Sequence, residues 1–205
     1  HVLSRRQRQM CIRDRPECAV EEIKTHHPVQ VVPSGPGMPE YLILQVLTIA
    51  INQANHSVRI TTPYFVPSAD LLETLKMTAQ RGVNVELIIP HNNDSLMVKW
   101  ASRAFYTELL EAGVKIYEFY GGLLHTKSVV IDEEFCLIGT VNIDMRSLWL
   151  NFEVTLAVDD VHFTQQLSEL QQSYIDSSHP VELEEWEKRN LRNRFFERLF
   201  YLFNP

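Results

Sequence analysis

The feature that most constrains the fold is an alternation of short β-branched runs with longer amphipathic runs between residues 57 and 119. The β-branched runs, which predict strands, occupy residues 57–63, 83–90 and 114–119. The amphipathic runs begin at Ser68 and Ser95, which predict helix N-caps, and stop at Gly82 and Gly113, which predict helix ends. Strands that alternate with helices predict an α/β fold with a largely parallel sheet flanked by helices on both faces.

The flanking sequence extends this pattern. Further strands are predicted at residues 29–33, 123–132, 135–139 and 151–158. Further helices are predicted at residues 39–54 and 161–173. A tight turn at residues 132–134 joins two of the strands into a hairpin, so the sheet is expected to be mixed. We therefore predict one α/β domain over residues 29–179.

The two ends of the chain lie outside this predicted domain. We expect residues 1–28 to be a disordered leader, and residues 1–15, HVLSRRQRQMCIRDR, to be non-native because they resemble a translated library adapter. The other interpretation is a basic arm that binds phosphate groups. Residues 180–205 predict a basic amphipathic helix, which suits either an interfacial membrane helix or a terminal helix docked on the core.

Composition limits the classes of function. The formal charge is −7, which argues against a nucleic-acid partner because such proteins usually carry a basic surface. The three cysteines have neither metal-ligand spacing nor an even count for disulfides. The longest uncharged run, residues 41–57, is shorter than the roughly 20 apolar residues that span a bilayer.

A polar pair interrupts the predicted strand LLHTKSVVID. His125 and Lys127 are two residues apart, so on a strand their side chains project from the same face. An imidazole, with a usual pKa of about 6.5, suits proton transfer or nucleophilic attack, and a lysine suits an anionic oxygen. Asn142 and Thr140 offer further donors, and Glu153 could bond the second nitrogen of His125.

These residues also carry a resemblance. HTKSVVID resembles the H-x-K-x4-D signature of the phospholipase D superfamily, and GTVN and NFE resemble its G-[ST]-x-N and N-x-E elements. The stretches TTPYFVPSADLLETL, RGVNVELIIP and ELLEAGVKIYEF add to it. Over residues 29–205 the chain resembles the C-terminal half of bacterial cardiolipin synthases, which implies a phospholipase D-like α/β/α sandwich.

The resemblance implies a cofactor-free, metal-independent reaction through a phosphohistidine. It makes His125 the acid and base opposite a nucleophilic histidine, while Lys127 and Asn142 hold phosphate oxygens, Thr140 supports their loop and Glu153 orients His125. Asp132 completes the signature, and we expect its role to be structural. The implied substrate is phosphatidylglycerol, which acts as both donor and acceptor and releases glycerol.

The sequence departs from the superfamily pattern because it has one H-x-K motif where two are needed. We expect a fragment that is inactive alone, completed by a missing N-terminal half or by a second copy. We expect it at the bacterial cell membrane, with the domain facing the aqueous side. Two alternatives remain open: a homodimeric single-motif phosphodiesterase or nuclease, and a non-catalytic membrane-binding half-domain.

Overall fold

The computed structural model describes residues 28–39 and 41–203, so residues 1–27 of the expected leader lie outside the described residues. The strands are β1 Val29–Ser34, β2 Ser57–Thr61, β3 Phe65–Val66, β4 Asn84–Pro90, β5 Lys115–Phe119, β6 Ser128–Ile131, β7 Phe135–Gly139, β8 Ile143–Asp144, β9 Glu153–Asp159 and β10 Ser178–Pro180. The helices are α1 Leu42–Gln53, α2 Ala69–Gln80, α3 Leu96–Arg103, α4 Tyr106–Glu111, α5 Met145–Trp149, α6 Val161–Asp176, α7 Leu183–Glu187 and α8 Leu191–Phe203.

Eight of these strands form one mixed sheet in the order β1-β9-β7-β6-β2-β4-β5-β10. The mixed α/β architecture is as predicted. The parallel part is smaller than the sequence suggests, since among the described strands of the main sheet only the β2–β4 and β4–β5 pairs are parallel. The other neighbouring pairs in this sheet are antiparallel, and of these only β6 and β7 follow each other in the chain as a tight hairpin. Strands β3 and β8 form a separate two-stranded sheet.

Side chains of the central strands point alternately to the two faces of the sheet and form an apolar layer on each face. In β4, Val85 and Leu87 belong to the larger core, which α1, α2 and α4 cover, whereas Ile88 belongs to a smaller cluster with residues of the opposite face. Helix α6 covers that opposite face, where Leu167 packs with Val130 and neighbouring side chains. Helices therefore flank both faces, and the loops at the ends of the strands remain open to solvent.

Most of the predicted helix and strand boundaries agree with the structure to within a few residues, and both predicted N-cap residues cap their helices. Ser68 accepts a hydrogen bond from the Leu71 amide and Ser95 accepts one from the Val98 amide, both at 3.3 Å. The helix predicted from Ser95 to Gly113 is instead two helices, because the chain turns at residues 104–105 and continues as α4. Phe105 lies in this turn and Tyr106 begins α4, and both side chains are buried.

The C-terminal segment packs on the protein itself. Strand β10 extends the main sheet beside β5, and α8 contacts α3, where the rings of Phe196 and Trp100 lie 5.7 Å apart. Glu197 of α8 is buried, and its carboxylate lies 3.0 Å from Arg189 and 3.5 Å from Arg103. A buried carboxylate needs such partners, so these ion pairs fix the position of α8.

The β6–β7 hairpin confirms the predicted turn and shows how Asp132 acts in it. Asp132 and Glu133 have φ angles of 52° and 59°, and the Glu134 amide closes the turn on Ile131. The Asp132 carboxylate accepts hydrogen bonds of 2.7–2.8 Å from three successive backbone amides, those of residues 55–57. It therefore ties the hairpin to the start of β2, at the end of β6 opposite to His125.

We expect Asp132→Asn to lower the free energy of unfolding by about 1 kcal/mol and Asp132→Ala by about 2–3 kcal/mol. Asparagine tolerates the same positive φ, so the first change keeps the backbone conformation, but it removes the charge and leaves one oxygen to accept where the carboxylate uses two. Burial opposes ionisation, but the three amide bonds outweigh it and hold the pKa of Asp132 below its usual value.

That lowered pKa sets the pH dependence. Because the folded protein binds this proton more weakly than the unfolded chain, Asp132 stabilises the fold above the unfolded pKa, about 3.9. The stabilisation disappears as the pH falls through the lower folded pKa. Urea unfolding between pH 3 and 7 should show a shallower acid loss in Asp132→Asn; an unchanged acid loss would contradict this assignment.

Candidate active site

The candidate residues lie at one end of the main sheet, where β2, β4 and β5 finish and β6 starts; we call this the site end. The sequence predicts that His125 and Lys127 lie within a strand, but in the structure both residues precede β6. The Lys127 carbonyl nevertheless accepts a hydrogen bond from the Gly139 amide at 3.1 Å. His125 is exposed, and Lys127 is partly buried. His125 and Lys127 therefore lie on the segment that leads into β6, at the site end of the sheet.

Lys127 presents a desolvated cation. Its Nζ donates a 2.6 Å hydrogen bond to the His125 carbonyl, which tethers the two residues. Burial lowers the pKa of Lys127, while the more distant carboxylates of Glu153, Asp144 and Asp94 act in the opposite direction. No carboxylate among the described residues lies within ion-pair distance of Nζ, so this ammonium is available to a bound anion.

Thr140, Asn142 and Glu153 come together beside it. The Thr140 hydroxyl donates to Glu153, and its backbone amide pairs with the Val154 carbonyl at 3.0 Å. The Asn142 amide group donates to Ser147 at 3.2 Å, and its oxygen is buried without a hydrogen-bond partner among the described residues. The loop after β7 and the start of β9 are therefore joined by hydrogen bonds.

The predicted bond between Glu153 and His125 is not present. Within the described part of the chain, Glu153 accepts from Thr140 and from Asn151, at 3.1 Å for the latter, and makes no hydrogen bond to the His125 ring. The reason is the β7–β9 pairing, which sets the Thr140 hydroxyl directly against the start of β9. Glu153 thus orders the loop after β7 in this structure.

Helix α6 fastens the segment that carries His125 and Lys127. The Thr126 hydroxyl lies 3.1 Å from the Tyr174 hydroxyl, and the Gln171 amide donates to Ser128 Oγ at 3.0 Å. Gln171 and Tyr174 are three residues apart on a helix, and Thr126 and Ser128 are two apart on an extended chain, so both pairs share a face. Sequence reasoning missed Gln171 and Tyr174 because no local pattern links them to β6.

A polar cleft of about 360 Å³ adjoins Asn142. Tyr64 stands on one wall and donates hydrogen bonds of 2.8 and 3.0 Å to Asp94. Burial and the bond to Asp94 raise the pKa of Tyr64 to about 12, so it stays a donor at neutral pH. The other polar lining groups belong to Ser95, Asp144, Arg146, Ser147 and Asn151.

Two further properties complete the description. Across residues 28–39 and 41–203, no three His, Cys, Asp or Glu side chains are grouped so that they could hold a metal ion. None of the helices in that part of the chain has the length and apolar character needed to cross a membrane.

Comparison with known proteins identifies the family. Residues 47–174 match the family described as the phospholipase D-like domain of cardiolipin synthase. The chain belongs to this family. It is 56% identical over 184 residues to the cardiolipin synthases A of Yersinia pseudotuberculosis and Yersinia pestis. These alignments cover 90% of this chain, and the chain spans 38% of the length of these curated relatives.

Solved structures agree on the fold of this phospholipase D-like domain. The phospholipase D family member Nuc from Salmonella typhimurium superimposes with a TM-score of 0.65 at 19% identity, covering 77% of this chain and 99% of that one. Phosphatidylserine synthase from Haemophilus influenzae superimposes with a TM-score of 0.66 at 19% identity, covering 88% of this chain and 46% of that one. The predicted phospholipase D-like fold is therefore confirmed.

Proposed function

We propose that this chain supplies one half of the active site of a phosphatidyltransferase that makes cardiolipin from two phosphatidylglycerols and releases glycerol. The observation that carries the proposal is the grouping of His125, Lys127, Thr140, Asn142 and Glu153 at the site end of a cardiolipin synthase domain. The enzyme acts at the bacterial cell membrane, with this domain facing the aqueous side, and it uses no metal or other cofactor.

The reaction proceeds in two displacements. A histidine from the other half attacks phosphorus, the phosphorus–oxygen bond to glycerol breaks, and His125 gives its proton to the departing alkoxide. His125 then takes a proton from a hydroxyl of the second phosphatidylglycerol, whose oxygen attacks phosphorus as the phosphorus–nitrogen bond breaks. Lys127 and the Asn142 amide stabilise the charge on the phosphate oxygens in both steps.

Charge supports the need for a second half. Lys127 and, in the adjoining cleft, Arg146 are the cations near the candidate phosphate site, whereas the carboxylates of Glu153, Asp144 and Asp94 all act electrostatically on Lys127. An anionic phosphodiester held by this cluster alone would face more negative than positive charge. A second H-x-K motif, from a missing half or from another copy, would add a lysine and the nucleophilic histidine.

A chimaera tests the proposal directly. In cardiolipin synthase A of Yersinia pseudotuberculosis, the segment aligned with this chain is replaced by this chain, and the product is incubated with radiolabelled phosphatidylglycerol. We expect cardiolipin and glycerol in equal amounts, and none from this chain alone at concentrations where it is monomeric. Activity of the isolated chain only as a dimer, with DNA or a simple phosphodiester, would favour a homodimeric phosphodiesterase instead. Lipid binding by a correctly folded chimaera without any transfer would favour a non-catalytic half-domain.

Tyr174 offers a test of how the site is positioned. We expect Tyr174→Phe to lower kcat in the chimaera about tenfold because Thr126 loses its partner, while the free energy of unfolding falls by only about 1 kcal/mol. Thr126→Val should have a similar effect. The double variant should be no worse than either single variant, since both changes break the same contact; fully additive losses would show that the contact is unimportant.

A further inference from the structure

An apolar groove runs along the outer side of α1 and reaches the site end. Its volume is about 620 Å³, and it is lined by Tyr41, Leu44, Gln45, Thr48, Ile49, Asp70 and Trp149. A second depression of about 400 Å³, bounded by residues 34–39, 41–42 and 148–150, shares Tyr41 and Trp149 with it. We call the first of these the Tyr41 groove.

Two aromatic rings shape the groove at the site end. Tyr41 and Trp149 meet edge to face with ring centroids 5.4 Å apart, yet they remain 49% and 41% exposed. Tyr41 also has a φ of 60°, a left-handed conformation that costs a residue with a side chain about 1–2 kcal/mol. The fold thus holds two large rings in water at an energetic cost, which indicates a binding surface.

The groove is physically connected to the phosphate site by the short helix α5. Ser147 on this helix accepts the hydrogen bond from Asn142, and two residues later Trp149 forms the wall of the groove. A ligand whose phosphate lies at Lys127 and Asn142 therefore has an apolar surface within reach of the same helix.

The chemistry of the lining favours a hydrocarbon chain. Among the described residues that line the groove there is no cation, and the charged one, Asp70, is exposed to solvent. From Tyr41 to Ile49 the helix advances about 12 Å, a length that suits part of one acyl chain. Tyrosine and tryptophan at its mouth are the residues that favour the boundary between water and lipid.

We propose that the Tyr41 groove binds one acyl chain of the phospholipid whose phosphodiester lies at Lys127 and Asn142. This inference rests on the proposed function for the identity of the lipid, but it concerns a different part of the molecule. The groove directs the lipid so that its headgroup enters the site end while its chain leaves along α1. It makes recognition depend on the acyl chain as well as on the headgroup.

Binding of short-chain lipids to the full chain tests this inference without turnover. The probes are dioctanoyl and dibutanoyl phosphatidylglycerol, both kept below their micelle concentrations and measured by calorimetry. Each buried methylene is worth about a fourfold change in affinity, so we expect the longer lipid to bind at least about tenfold more tightly. Equal affinity for the two lipids would overturn the proposal.

A matched pair of variants locates the effect. Ile49 lies in the groove and is 57% exposed, whereas Met77 on α2 lies outside it and is 58% exposed. We expect Ile49→Ser to weaken binding of the dioctanoyl lipid about fivefold and to leave the dibutanoyl lipid unchanged, and Met77→Ser to change neither. Equal losses in the two variants would indicate non-specific surface binding and would sink the proposal.

A second readout separates a lipid from a protein occupant. Phosphatidylglycerol with brominated acyl chains should quench the fluorescence of the wild-type chain, and Trp149→Phe should remove most of the quenchable part. If Ile49→Ser instead changes self-association with no effect on quenching, the groove is a protein interface and the acyl-chain proposal is wrong. Because neither measurement needs catalysis, failure of phosphatidyl transfer would overturn the proposed function alone.

Discussion

Phosphatidyl transfer by the chimaera should fall by roughly 10²- to 10⁴-fold when His125 is replaced by alanine, with little change in the free energy of unfolding. The exposed ring of His125 contributes little packing, so its removal should leave the fold intact. Radiolabelled cardiolipin formation and urea unfolding measure the two effects. His162→Ala is the matched control, since His162 is also exposed and lies on α6, where its ring contacts Gln166.

The role of His125 can be resolved further with a better leaving group. If His125 protonates the departing alkoxide, a lipid phosphodiester with a nitrophenol leaving group should depend on it far less than phosphatidylglycerol does, because that group leaves without a proton. The variant should then accumulate a covalent phosphoryl-enzyme on the other half. Equal losses with both substrates and no covalent intermediate would make His125 the nucleophile; undiminished cardiolipin formation would remove it from the mechanism.

Much of the fold could be predicted because its signals are local. Ser68 and Ser95 cap helices as predicted, and the turn at Asp132 joins a hairpin as predicted. The break between α3 and α4 was missed because the apolar period runs through it and neither glycine nor proline marks it. Strands β3, β8 and β10 have two or three residues each, too few to show a pattern.

The site divides in the same way. Two pairs of site residues could be recognised from their spacing in the sequence: His125 with Lys127, and Thr140 with Asn142. The fold brings these residues to one end of the sheet. The partners of these residues come from distant sequence: Tyr174 is 48 residues from Thr126, and Gln171 is 43 from Ser128. The contact of Glu153 with Thr140, rather than with His125, follows from the register of β7 and β9, which no single-sequence pattern supplies.

Gly139 joins the fold to the site, and its replacement should be the most damaging single change to the fold. A Cβ added at Gly139 would lie 2.2 Å from the Val154 carbonyl oxygen and 2.8 Å from the Thr155 Cα. Both neighbours are backbone atoms of the paired strand β9, so no side chain can move aside. We expect Gly139→Ala to lower the free energy of unfolding by about 3 kcal/mol, measured by urea unfolding.

Gly82→Ala is the appropriate control because it tests the cost of a positive φ angle without a steric clash of the added Cβ. Gly82 has a φ of 93° but nothing within 4 Å of an added Cβ, so only the conformational cost of about 1 kcal/mol applies. Equal costs for the two variants would show that β7 and β9 can separate freely. If they cannot, Gly139 must stay small so that β7 and β9 can pair, and this pairing also sets the distance between Thr140 and Glu153. Gly139 is therefore needed for the structure of the sheet, independently of any need for it in catalysis.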